Sequence, residues 1–232
     1  MNNKVIYSIL TLCIVFVVST STAGKGGFSP EYLKNIELRY GKAAMQRIAD
    51  WQELIDDDRG SREWSIINDV NEFFNRIPYI SDAQHWHRED YWATPVELLA
   101  TNGGDCEDYS IAKYFTLLEL GIPDERLRIT YVKALRFNQA HMVLAYYEEP
   151  ESDPLILDNL IDRIKPASSR TDLLPIYSFN GSNLWMSKER GQGRMTAMEG
   201  GSQRINLWRD LNVRMDQERQ RGSSFTAKNM TN

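Results

Sequence analysis

The chain has 232 residues, of which 42% are hydrophobic and 25% charged, with a formal net charge of -5. A chain of this size can bury its own core without disulfide staples. The basic residues are scattered rather than gathered in a stripe, which argues against nucleic acid or anionic lipid as a main partner.

The N-terminus reads as an export signal. Lys4 supplies a positive charge, Val5 to Val18 form a nearly unbroken apolar stretch, and Ser21-Thr22-Ala23 places small residues before a cut at Gly24. Residues 1–23 are therefore expected to be a cleavable signal peptide; an uncleaved N-terminal anchor fits the small-residue site less well. No later segment is apolar for long enough to span a bilayer. The expected product is secreted, with residues 24–222 as one domain and residues 223–232 as a disordered tail. Cleavage removes Cys13 and leaves Cys106 as the sole thiol.

From Glu31 to Asp57 apolar residues recur at helical spacing, which predicts one or two helices broken by Asp56-Asp57-Asp58 and Arg59-Gly60. Ser61 is the expected cap of the next helix, which carries Ile67, Val70 and Phe74 and ends before Pro78. Residues 77–95 are aromatic and irregular. His85-Trp86-His87 offers two imidazoles but no third zinc ligand, and reads as a loop packing Trp86 and Trp92 near the cleft, with Trp92 a candidate wall. Pro95 opens a short helix through Leu99, and Asn102-Gly103-Gly104 is a loop with two residues free to take positive φ. Ile111, Tyr114, Phe115 and Leu118 mark an amphipathic helix that stops at Gly121, which puts Cys106 in its first turn.

The period then changes. Leu127 to Val132, His141 to Tyr147 and Leu155 to Asp158 are strand-like, with a polar turn between the second and third. Pairing Tyr147 with Ser152 sets His141 opposite Asp158, where Cβ atoms lie about 4.5 to 5.5 Å apart. A one-residue slip would put them on opposite faces. Ile176 to Phe179 is a further candidate strand, residues 188–201 read as a glycine-rich mobile loop, and Ile205, Trp208, Leu211 and Met215 predict a C-terminal helix. No repeat or linker divides the chain.

The segment Asn102 to Tyr109 carries the chemistry. A thiol at a helix N-terminus gains from the partial positive charge there, while Asp105, Glu107 and Asp108 oppose its ionisation. These acids also argue against an inert buried cysteine, since desolvating them would be costly. His141 is the best base, with Asp158 across the hairpin to orient it. Cys106 then attacks a carbonyl, His141 relays the proton, and the Cys106 backbone N–H is the expected oxyanion donor. The triad does not distinguish water from a lysine amine as acceptor, so a transglutaminase-type acyl transferase stays open. A non-catalytic binding module of the same fold stays open too.

Asp90-Tyr91-Trp92-Ala93-Thr94-Pro95, Gly104-Asp105-Cys106-Glu107-Asp108-Tyr109, Ile129-Thr130-Tyr131-Val132, Gln139-Ala140-His141-Met142-Val143-Leu144 and Leu157-Asp158-Asn159-Leu160 together resemble the bacterial transglutaminase-like cysteine proteinases. The resemblance implies an α+β, papain-like/transglutaminase-like fold in which N-terminal helices and a nucleophile-bearing helix pack on an antiparallel sheet. It implies a periplasmic endopeptidase with Cys106, His141 and Asp158 as its triad. It further implies a substrate, the N-terminal region of a large surface adhesin whose release disperses biofilm, and an inner-membrane cyclic di-GMP receptor of the LapD type that holds the protease inactive. Calcium is implied as well, with Asp105 and Glu107 as ligands and Asp108 a further candidate by proximity; the acids taken alone fit a solvated helix start equally well.

Overall fold

A computed structural model describes residues 27–187, 195–197 and 201–220. The expected signal peptide and the expected tail lie outside the described residues. The N-terminal periodicity resolves into two helices, α1 (Pro30–Tyr40) and α2 (Lys42–Asp58), parted at Gly41, whose φ of 89° suits a residue without a side chain. The acidic run does not break α2 early but forms its last turn. Helix α3 (Glu63–Asn75) starts at Arg62, not at Ser61, and has no side-chain cap. A single turn, α4 (Asp82–His85), interrupts the irregular aromatic segment. Helix α5 (Pro95–Thr101) follows the Thr94–Glu97 capping box.

Helix α6 (Cys106–Glu119) is the centre of the fold, with every residue from Asp108 to Leu117 buried. It packs on α3, on α5 and on the sheet. A helix covered on all sides needs no strong amphipathic stripe, which is why its polar positions, Lys113 and Thr116 among them, are also inside. The C-terminal helix α7 (Asn206–Gln220) buries Trp208, which stacks on Phe115 and meets Phe179 edge-on.

The strands are β1 (Leu127–Ala134), β2 (Gln139–Tyr146), β3 (Leu155–Leu157), β4 (Lys165–Pro166), β5 (Leu173–Phe179), β6 (Leu184–Ser187) and β7 (Met195–Ala197). They form one antiparallel sheet in the order β4-β3-β2-β1-β5-β6-β7. The architecture is therefore α+β as expected. The segment read as a mobile glycine-rich loop contributes β7, and the rest of it lies outside the described residues except Gly201. One sheet face, with Ile129, Leu144 and Leu157, joins the helical core, while Val132, Val143, Ala145 and Ile156 form a smaller cluster on the other.

The β2–β3 register differs from the expected one. Leu144 pairs with Leu157 and Tyr146 with Leu155, so the ladder is displaced by two residues and Asp158 falls just beyond β3. The connecting turn runs from Glu149 to Ser152, closed by the Ser152 N–H on the Glu149 carbonyl, and absorbs residues that the shorter hairpin would have paired. Because side chains alternate with period two, an even displacement keeps His141 and Asp158 on one face. Since β3 reaches only Leu144, the β2 edge from Gln139 to Val143 is open on that side, and the start of α6 and the loop carrying Asp158 approach it there.

Candidate active site

The Cys106 helix begins against a tight backbone. Asn102 takes the left-handed conformation (φ 57°) that ends α5. The two glycines after it serve close approach rather than positive φ. A Cβ on Gly103 would lie 2.5 Å from Ile80 Cδ1, and one on Gly104 2.5 Å from Asp108 Oδ2 and 2.7 Å from Leu98 Cδ1. The Ile80 N–H donates to the Gly104 carbonyl at 2.9 Å, which ties the segment before α4 to the start of α6. Asp108 caps the helix: its Oδ2 accepts the Asp105 N–H at 3.1 Å and its Oδ1 the Ala93 N–H at 2.6 Å.

Cys106 is partly buried, and its thiol donates to Glu107 Oε2 at 3.1 Å. Burial first, then the Glu107 and Asp105 carboxylates, push the thiol pKa well up; the Met142 backbone N–H, facing the sulfur, works the other way. That N–H belongs to the residue after His141, so the turn that carries Cys106 meets β2 at the histidine.

His141 and Asp158 are brought together as expected. His141 Nε2 lies 2.8 Å from Asp158 Oδ1, with the two side chains 2% and 0% exposed. Asp158 is held on every side: the Leu160 N–H donates to Oδ1 at 2.9 Å and Arg170 Nη2 to Oδ2 at 2.7 Å. Burial alone would raise its pKa, but His141, the Leu160 amide and Arg170 outweigh it and hold the carboxyl at about 2. An ionised Asp158 accepts only, so it fixes the imidazole proton on Nε2 and leaves the Nδ1 lone pair without a hydrogen-bond partner among the described residues. That nitrogen is the one left to accept a proton.

Beside the thiol lies a knot of carboxylates. Ligand atoms of Asp82, Asp105 and Asp108 lie within 4.8 Å of one another, as do those of Asp82, Asp90 and Glu107, and of Asp105, Cys106 and Glu107. The Asp82 N–H donates to Asp105 Oδ2 at 3.2 Å, and Asp82 Oδ2 accepts the Tyr91 N–H at 2.5 Å. Asp82 Oδ1 and Asp105 Oδ1 are buried with no partner. Burial, then like charge, raises Asp82 to about 6 and Glu107 to about 10, and pushes Asp105 and Asp108 up as well. Mutually repelling carboxylates with orphaned oxygens match what a hard cation takes as ligands. Asp105, Glu107 and Asp108 were legible beside the thiol. Asp82 and Asp90 were not singled out: Asp82 is 23 residues from Asp105 and carries no spacing signal, while Asp90 opens the first of the resembling motifs.

Other expectations resolve differently. Trp92 is 3% exposed and stacks on Phe179 at 5.5 Å, so it is core and not a cleft wall. His85 bonds Thr101 Oγ1 at 2.7 Å and packs edge-on against Trp86. The histidine pair joins no metal-ligand cluster among the described residues.

Comparison with known proteins agrees with this constellation. Residues 46–190 match the model of a family described as bacterial transglutaminase-like cysteine proteinase. Three solved structures of Legionella pneumophila LapG are similar at 42% identity over 80% of this chain. The EGTA-treated form has a TM-score of 0.70 with 96% of its chain covered, the form without a stated treatment 0.69 with 94%, and the calcium-bound form 0.67 with 98%. Comparison with curated protein sequences gives no match. With a helix-opening cysteine, a buried histidine–aspartate pair and that likeness over most of its length, the chain belongs to the bacterial transglutaminase-like cysteine proteinases.

Proposed function

We propose that the protein is a calcium-dependent cysteine endopeptidase with Cys106 as nucleophile, His141 as acid–base and Asp158 as the orienting carboxylate. The observation that carries the reading is the buried His141–Asp158 pair, whose fixed tautomer offers Nδ1 on the strand that the Cys106 helix meets. His141 Nδ1 takes the thiol proton and the sulfur attacks the scissile carbonyl carbon. The oxyanion that forms is stabilised by the free N–H at the first position of α6. The imidazolium returns its proton to the departing amine, leaving a thioester, and His141 then deprotonates the water that hydrolyses it.

Asp82, Asp105, Glu107 and Asp90 would hold a Ca²⁺ ion, with Asp108 positioning Asp105 by its grip on the backbone. The fit rests on the two orphaned buried oxygens and on an all-oxygen donor set. The similarity to a LapG with a calcium-bound form supports calcium as the ion. Bound there, the ion supplies positive charge that offsets the carboxylates opposing thiolate formation.

The substrate in this reading is the N-terminal region of a large surface adhesin, cut in the periplasm to disperse biofilm. The protease is restrained by an inner-membrane cyclic di-GMP receptor of the LapD type. Both are supported by the motifs shared with the family rather than by any feature of the cleft. The test incubates the purified protein with an adhesin N-terminal fragment in calcium or in EGTA. Cleavage in calcium, its loss in EGTA and its return with excess calcium are expected. An intact fragment in calcium would remove the substrate, and undiminished cleavage in EGTA would remove the calcium requirement.

A further inference from the structure

The far side of Asp158 carries a charge that the triad does not need for orientation alone. Arg170, in the turn before β5, has a side chain 2% exposed and donates through Nη2 to Asp158 Oδ2 at 2.7 Å. Its guanidinium is braced from behind by Asp172, which accepts Nε at 2.9 Å and Nη2 at 2.8 Å. A full cation thus lies one carboxylate away from the imidazole, in a site closed to water.

We propose that Arg170 is a positioning residue for the reaction: it locks the Asp158 carboxylate with Oδ1 toward His141 and tempers the stability of the His141 imidazolium, so that the proton taken from the thiol can be given up to the leaving amine. The proposal rests on the triad reading above.

The physical case has two parts. A carboxylate with one bonded oxygen can rotate, whereas Asp158 has the Leu160 amide and His141 on Oδ1 and Arg170 on Oδ2, which leaves one orientation. The second part is charge. An unneutralised aspartate against a buried imidazole favours the imidazolium strongly and makes it a poor acid. A guanidinium on the other oxygen, though it shares its charge with the more exposed Asp172, lies closer to Asp158 and cancels part of that pull, and its burial limits screening. Other charges coupled to this site are Asp172, which feels both Arg170 and Asp158, and Lys113, which feels both Asp158 and Asp162. Lys113 is itself bonded to Asn71 at 2.8 Å and Asn75 at 2.7 Å, so it is no substitute donor for Oδ2. From β1 the residue opposite His141 is Val132, which carries no charge.

The experiment replaces Arg170 in the full chain by Met, which removes the cation at similar length, and by Gln, which keeps a donor for Oδ2 without the charge. His141 is titrated by NMR in a Cys106→Ser background at fixed calcium, so that thiol ionisation does not intrude. The expected result is an upward shift of the His141 titration by more than about one pH unit in both variants. On the adhesin fragment, with Cys106 present, kcat should fall at least about tenfold in Arg170→Met with KM within about twofold, and by less in Arg170→Gln. Arg170→Lys should leave the titration near wild type. A His141 titration unmoved in either folded variant, or a loss confined to KM, would overturn the proposal. Neither result touches the nucleophile, which Cys106→Ala tests separately.

Discussion

The substitution Asp158→Asn probes the site most sharply, because the structure leaves an amide no good orientation. Asp158 accepts on both oxygens, from His141 Nε2 at 2.8 Å and from Arg170 Nη2 at 2.7 Å. An asparagine that turns its carbonyl to His141 presents an NH₂ to the guanidinium, donor against donor. Turned the other way, it satisfies Arg170 but donates to Nε2, which drives the imidazole proton onto Nδ1 and removes the base. Either way one donor is left facing the amide NH₂, Arg170 Nη2 in the first arrangement and the Leu160 N–H in the second, and the second also removes the base. Losing one charge-assisted bond and acquiring the wrong tautomer raises the barrier by roughly 3 to 5 kcal/mol, a fall in kcat of about 10² to 10⁴-fold. Breaking the buried pair also costs stability, about 3 to 5 kcal/mol, so cleavage of the adhesin fragment should be assayed well below the variant's own melting temperature. The double variant Asp158→Asn/Arg170→Met should recover part of the loss, because the carbonyl is then free to face His141. A single variant that cleaves within about threefold of wild type would refute this reasoning.

Three further outcomes are expected. Asp82→Asn should weaken calcium binding by about tenfold or more in titration calorimetry, since it removes one charge from a cluster whose Asp82 Oδ1 is unpartnered; unchanged affinity would take Asp82 out of the ligand set. Gly104→Ala sets a Cβ 2.5 Å from the doubly bonded Asp108 and should cost roughly 1 to 3 kcal/mol in denaturant unfolding, with loss of activity; wild-type stability would mean that the α6 start is looser than described. Burial lowers Lys113 from its ordinary 10.5 to about 7. Its contribution to stability is fully present above 10.5 and is lost as the pH falls through about 7, because the unfolded chain holds the proton more tightly across that window. The stability of wild type relative to Lys113→Met should therefore rise between pH 7 and 9 by about 1 kcal/mol per unit, measured by urea unfolding; a flat difference would contradict the burial.

Much of the fold was legible because its signals are local. The Pro95 helix start and the apolar period of α6 each announce themselves within a few residues, and the Asn102-Gly103-Gly104 loop together with that period placed Cys106 in a first turn. His141 and Asp158 were legible for a less secure reason. The expected register was displaced by two residues, and the pair survived because an even displacement preserves the face. What was not legible depends on chain segments distant in sequence. Asp82 reaches the nucleophile through the Ile80–Gly104 backbone bond, Arg170 reaches Asp158 through the turn before β5, and Lys113 looked like one polar position on a helix whose surroundings bury it whole. The short strands β4 and β6 pair because neighbouring strands present open edges, which no period within two to four residues can signal.

The central claim is that the Cys106 sulfur forms the covalent bond to substrate. Cys106→Ala, shown to be folded by its melting curve and given saturating calcium, should leave the adhesin fragment uncut over a time in which wild type cleaves it completely. Cleavage at the same peptide bond by the alanine variant would contradict the account.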